Sequence, residues 1–206
     1  ADGYLGPIVD VHTHLALSFG PRGAVNISQE TPEVEHYLPV DDPLDLEVYN
    51  NVNLKPGALS ELSRDMTYRT FTSMGMRTTH TAPNLIREMR AMGVTKACIL
   101  PVELPVLSDN ANRYLDAADQ FPELVSLGSI HPLARGVEKK VSAQIARGAR
   151  GFKLHPALQL FRPDSRRGMR LLEILNKHKL PVFYHCGPVG ITPPLGEHLT
   201  QVRHYV

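Results

Sequence analysis

Ile8-Val9-Asp10-Val11-His12-Thr13-His14-Leu15 alternates apolar and polar residues. Read as a strand, it places Ile8, Asp10, His12 and His14 on one face and Val9, Val11 and Thr13 on the other, with the valine face expected to be buried. Two histidines at i and i+2 reach a common point above a strand, as the ligands of one metal ion must. The same residues also suit a surface strand with two incidental histidines, because short motifs recur by chance. The rest of the chain has to decide between these readings.

Moving outward, residues 16–82 carry Pro21, Pro32, Pro39, Pro43 and Pro56 among scattered Gly and Asn, with no sustained period. So long an irregular stretch is expected to be a functional excursion, here over the face formed by the strand C-termini. A short helix is expected at 60–69. From Pro83 a rhythm begins. Pro83 suits a first helical turn, and Leu85, Ile86, Met89 and Met92 form an apolar stripe that ends at Gly93. Val94-Thr95-Lys96-Ala97-Cys98-Ile99-Leu100-Pro101 reads as a buried strand. Ser108 is placed to cap a helix through Tyr114, Leu115 and Ala118. Residues 124–132 read as the next strand. Val137, Val141 and Ile145 mark a helix that stops at Gly148. Gly151-Phe152-Lys153-Leu154-His155-Pro156 is a short strand, and Ser165 opens a helix with Met169, Leu172 and Leu175. Residues 181–187 form a fifth strand, and a last helix is expected at 197–206.

Strands alternating with helices, with continuous apolar runs in the strands, are the pattern of βα units on a parallel sheet. An eight-unit barrel typically needs about 250 residues. With 206 residues, 16–82 of them spent on the excursion, the expectation is one domain over 1–206 holding about five units of a (β/α)8 TIM-type barrel. An open five-stranded α/β sheet is the other possibility. The opening residues lack Met, and the later units have no sequence, so residues are expected upstream of Ala1 and beyond Val206.

Composition narrows the function classes. Lys and Arg total 22 against 21 Asp and Glu, which gives no electrostatic footprint for nucleic acid or an anionic membrane. No apolar run is long enough to span a bilayer, and the N-terminus lacks the segments of a secretory signal. Cys98 and Cys186 have no partners at zinc-motif spacing and are read as core thiols, which suits a reducing, cytoplasmic setting. The expected partner is a small-molecule substrate, with a homo-oligomer possible.

The histidines carry the chemistry. His14, His131, His155 and His185 fall at the C-terminal ends of strands, with His12 one step deeper. That edge is where parallel α/β folds build their sites. Lys153 shares a face with Gly151 and His155, and an amine directed inward is costly unless paired or modified. His131 and His155 each precede a proline and could equally cap a strand end. His36, His80, His178, His198 and His204 are read as solvated.

Val9-Asp10-Val11-His12-Thr13-His14, Gly151-Phe152-Lys153-Leu154-His155-Pro156 and Tyr184-His185-Cys186-Gly187, in that order, resemble the amidohydrolase superfamily, most closely its amidohydrolase-related branch. The resemblance covers residues 7–15 and 83–206. It implies a metal-bearing (β/α)8 barrel that hydrolyses C–N or C–O bonds, with decarboxylases and hydratases among its members. It implies His12, His14 and His185 as ligands of a divalent metal, Zn first, as one or two ions. It further implies Lys153 at the position that some members carboxylate to bridge two metals. A sixth-strand His and an eighth-strand Asp have no counterpart in these 206 residues. His155 and Lys153 are the catalytic candidates, and His131 and His155 the substrate-binding ones. Three rivals stand beside the hydrolase: a lyase of the same superfamily, a phosphoesterase that also opens on HxH, and a catalytically incomplete binding protein.

Overall fold

The computed structural model describes residues 6–19, 25–36, 56–69, 77–104 and 106–186. The element order is β1 (Ile8–Thr13), α1 (Ala58–Thr67), α2 (Ala82–Ala91), β2 (Val94–Ile99), α3 (Asn110–Gln120), β3 (Leu124–Ser126), α4 (Val137–Ala146), β4 (Phe152–Leu154), α5 (Arg166–Lys177) and β5 (Val182–Tyr184). The expected helix at 197–206 lies outside the described residues, as do His198 and His204. Among the described residues, no helix is long and apolar enough to cross a membrane.

All strand pairs are parallel. β1, β2 and β3 form one ladder and β4 with β5 another, and among the described residues a bridge from Gly128 to Phe152 joins them. Gly128 N–H donates to Gly151 O, and Lys153 N–H donates to Gly128 O, both at 2.8 Å. The strands therefore run in sequence order with a helix between successive members from β2 onward, which is the wall of a partial TIM-type barrel.

Local chemistry explains the helix boundaries. Pro83 sits in the first turn of α2, where its missing N–H costs nothing. Ser165 Oγ accepts from Gly168 N–H at 3.2 Å and caps α5, as its sequence position suggests. At α3 the expectation needs correcting. Ser108 does not cap it; the N-cap is Asp109, and the Glu103 carboxylate reaches over to accept the Ala111 N–H. Ser108 Oγ instead donates to that same carboxylate and accepts from Leu104 N–H. A carboxylate at a helix N-terminus satisfies an amide that would otherwise lack a partner.

The core lies in two clusters. One joins Ile86 and Met89 of α2, Ala97 and Ile99 of β2 and Tyr114 of α3 to Leu15, Leu17, Phe19, Val25 and Ile27. The start of the expected excursion is thus packed interior rather than a cover. Ala16 N–H donates to His80 O at 2.7 Å, Ala82 N–H donates to Ile27 O at 2.8 Å, and the buried Tyr114 hydroxyl donates to Leu15 O. The other cluster joins Phe152 and Leu154 of β4, Val141 of α4 and Leu171, Ile174 and Leu175 of α5.

Two sequence expectations fail at the sheet edges. Val9 and Val11 are 48% and 58% exposed, not buried, because β1 is an edge strand whose valine face is not covered among the described residues. Cys186, read as core, is exposed at the end of β5, whose other side likewise has no strand among the described residues.

One glycine tests the junction of the two ladders. A Cβ on Gly151 would stand 2.8 Å from Pro181 O and 3.1 Å from a Leu127 methyl. Gly151→Ala is expected to push β4 off both neighbours and to cost about 1–3 kcal/mol. Urea unfolding measures this, and an unchanged midpoint would show that the strands do not meet there.

Candidate functional site

The ends of β1, β4 and β5 bring the candidate side chains together. At β1 the ladder is irregular between Asp10 and Thr13. There the Asp10 carboxylate accepts the His12 N–H at 2.9 Å. The His12 and His14 rings then meet edge to face, with centroids 5.2 Å apart. His14 continues onto the end of β2, where its Nδ1 donates to Leu100 O at 2.6 Å. A carbonyl can only accept, so the proton is on Nδ1 and the Nε2 lone pair is left as donor to a metal or acceptor of a proton. A ligating histidine is ordinarily oriented in this way, its second nitrogen bonded to a backbone oxygen.

From β4 comes Lys153, 1% exposed, with Nζ 3.3 Å from His12 Nε2. Burial lowers its amine to about 8, against a smaller upward pull from Cys186. It remains mostly protonated at neutral pH and donates to the imidazole. One residue beyond β4, His155 is 8% exposed, and its ring stacks on His185 at 3.9 Å and 8°. Its Nδ1 accepts from Leu158 N–H at 3.3 Å, which leaves the proton on Nε2.

His131 is arranged differently. Its Nδ1 accepts from Leu133 N–H at 3.0 Å and its Nε2 donates to Gln159 O at 2.6 Å. Both nitrogens are engaged by the backbone of the adjoining turns, which is the strand-end cap that the sequence left open. His80, read as solvated, is half-buried, with Nε2 2.9 Å from Glu35 O. His36 and His178 are exposed.

Burial and the nearby cations keep these imidazoles neutral. His14 is lowered to about 3, first by burial and then by Lys153, His12 and Arg77. His155 is lowered to about 2 by burial and by His185, Lys153 and His14. His185 falls to about 4 through burial, Lys153 and His12. Neutral imidazole is the form that binds metal, so the donor chemistry fits a divalent ion. The arrangement itself is not closed: among the described residues, no three His, Cys, Asp or Glu side chains stand together as a ligand set. Lys153 Nζ lies against His12 Nε2, and His185 lies against His155.

Three side chains that the sequence reading missed support the site. Asp10 accepts the His12 N–H. Glu103 and Gln159, 9% and 1% exposed, knit the loops behind it. Each is a polar residue within an otherwise apolar run, Val102-Glu103-Leu104 and Leu158-Gln159-Leu160, and that was the available signal.

No family model matches the chain, and no curated protein matches it. Solved structures similar to it include a probable 2-pyrone-4,6-dicarboxylic acid hydrolase from Acinetobacter baumannii with citric acid bound. That match has 16% identity and a TM-score of 0.47, covering 89% of this chain and 50% of that one. A 5-carboxyvanillate decarboxylase from Novosphingobium aromaticivorans with bound manganese is 19% identical, with a TM-score of 0.45, over 58% of this chain and 39% of that one. A protein described as amidohydrolase II is 18% identical, with a TM-score of 0.44, over 61% and 49%. The chain spans half or less of the length of these three. By their descriptions these three are a probable hydrolase, a decarboxylase and an amidohydrolase.

The shifted groups predict a pH signature in protein freed of metal by a chelator. A histidine whose folded value lies below 6.5 adds stability that is present above 6.5 and lost as pH falls. Between pH 7.5 and 5.5, His14 and His155 should each remove about 1.4 kcal/mol. Glu103 works in the opposite sense. Burial raises its carboxyl to about 7, against the Ser108 and Ala111 donors, so its contribution is present at low pH and lost as pH rises through 7. Over the same interval it returns about 2 kcal/mol on acidification. Glu103→Gln should therefore lose more stability than the parent between pH 7.5 and 5.5. Urea unfolding of both proteins checks this, and equal pH dependence would contradict it.

Proposed function

We propose that this chain carries the histidine half of a metal-dependent hydrolase site acting on a C–N or C–O bond of a small molecule. The observation that supports the reading best is His14. It is neutral, its Nδ1 is fixed on Leu100 O, and its Nε2 is left with a lone pair beside His12 and Lys153 at the ends of parallel strands. His12, His14 and His185 would hold a divalent ion, Zn being the expected one for imidazole donors, with Lys153 beside them. Such an ion, when bound, makes hydroxide available near neutral pH and polarises the substrate carbonyl.

The chain's own residues do the rest. Lys153 holds a proton at Nζ against His12 Nε2 and must release that nitrogen before His12 can bind a cation. An amine near 8 gives up its proton or moves aside at small cost. His155, protonated on Nε2 and kept neutral, is a hydrogen-bond donor for an oxygen that gains negative charge. His131 has both nitrogens committed and serves to hold its turn. Decarboxylation or hydration would use the same ligands.

The test compares Lys153→Ala with Lys96→Ala, whose amine bonds Pro122 O at the exposed start of β2. Zinc content and hydrolysis of an activated aryl ester are measured after metal is restored. Lys153→Ala is expected to lose at least tenfold in rate, and Lys96→Ala to stay within about twofold. Equal activity in the two would make Lys153 merely structural. Absence of zinc from the parent protein would favour a binding protein, and CO₂ release from carboxylic acid substrates would favour a lyase.

A further inference from the structure

Beyond the last rungs of the ladder, something other than strand pairing must hold the loop ends of β2, β3 and β4 together. The final β3–β4 ladder bond is Lys153 N–H to Gly128 O. Past it, Ser129 Oγ donates to Lys153 O at 2.9 Å and accepts from Glu103 N–H at 3.1 Å, so one hydroxyl bridges the ends of β2 and β4. The next tie is Gln159, 1% exposed. Its Oε1 accepts the His155 N–H at 2.8 Å, and its Nε2 donates to Glu103 O at 2.8 Å and to Ile130 O at 3.4 Å. Its own backbone closes the same turn: its N–H donates to His155 O, and its carbonyl accepts from His131 Nε2.

We infer that Gln159 is a positioning residue of the site: its planar carboxamide clasps the three strand ends and fixes the main chain at His155, and so the ring beyond it. The clasp rests on the proposed function for the purpose of His155, though not for its geometry. A carboxamide suits the place because one rigid group both accepts and donates. Ser129 grips Lys153 and Gln159 grips His155, so β4 is held on both sides of Leu154. Removing the carboxamide leaves one buried N–H and two buried carbonyls short of a partner. The freed turn would no longer present Leu158 N–H to His155 Nδ1, and that bond sets which His155 nitrogen carries the proton.

The experiment uses the full chain without metal. Nitrogen-15 histidine spectra read the His155 tautomer, and amide exchange reads the His155 N–H. Gln159→Leu is compared with Gln144→Leu. Gln144 is also buried and bonded twice, but to the Ser129 backbone and not to His155. In the parent protein His155 is expected as the Nε2–H form, with an amide that exchanges as slowly as that of Lys153. Gln159→Leu should give averaged tautomers and speed His155 exchange at least tenfold, with Gln144→Leu within twofold of the parent. An unchanged His155 in Gln159→Leu, or equal changes in both variants, would overturn the inference. Should Gln159→Leu fail to fold, the parent decides: a His155 amide exchanging as fast as an exposed loop amide removes the clasp. Zinc titration of the parent is a separate arm. Its failure would sink the metal reading and leave the clasp standing.

Discussion

A buried amine facing an imidazole is the constraint on which the site depends. Lys153 lies almost wholly out of water, with Nζ against His12 Nε2. An amine in that setting is costly, and nearby positive charge raises the cost. The surrounding structure adapts by keeping every neighbouring imidazole neutral. Burial is the largest cause at His12, His14, His155 and His185, and Lys153 contributes at all four. Protonating any of these rings would place a second cation beside the first. The cluster therefore rests in the state that suits cation binding, and the amine occupies the lone pair that a metal would use.

The scaffold around this pair is built from bonds that strand pairing alone does not supply. Asp10 takes the His12 amide, Leu100 O fixes His14, and Ser129 and Gln159 carry the tie past the end of the β4 ladder. Gly151 allows β4 to approach both Leu127 and Pro181 closely. Each bond sits at a strand end, where side chains must meet backbone groups that the sheet leaves over. The histidine tautomers follow from these same bonds. His14 is held as a lone-pair donor at Nε2, and His131 and His155 are held as Nε2–H donors.

The strand–helix alternation from Pro83 onward was legible in the sequence because apolar period and helix punctuation agree there. Pro83, Ser165 and Gly148 act where their chemistry predicts. The inward direction of Lys153 was legible too, because a strand has a period of two; its contact with His12 Nε2 was not. What was not legible depends on contacts between distant residues. Val9 and Val11 are exposed because no neighbour covers them among the described residues, which alternation cannot report. Glu103, rather than Ser108, meets the helix α3 amide because a loop folds it back over the helix start. The burial of Leu15, Leu17, Phe19, Val25 and Ile27 shows an apparently irregular stretch contributing core, which its prolines and glycines concealed.

We propose that the neutral imidazoles at the ends of β1 and β5 hold a divalent metal. X-ray absorption at the zinc edge of the zinc-loaded full chain addresses the ligands directly. The expected result is a first shell of nitrogen and oxygen at about 2.0–2.1 Å with the outer-shell scattering of two or more imidazoles. A shell with sulfur at about 2.3 Å would assign the metal to a cysteine, and zinc bound without imidazole scattering would place it elsewhere. Either result would contradict the site described for His12, His14 and His185.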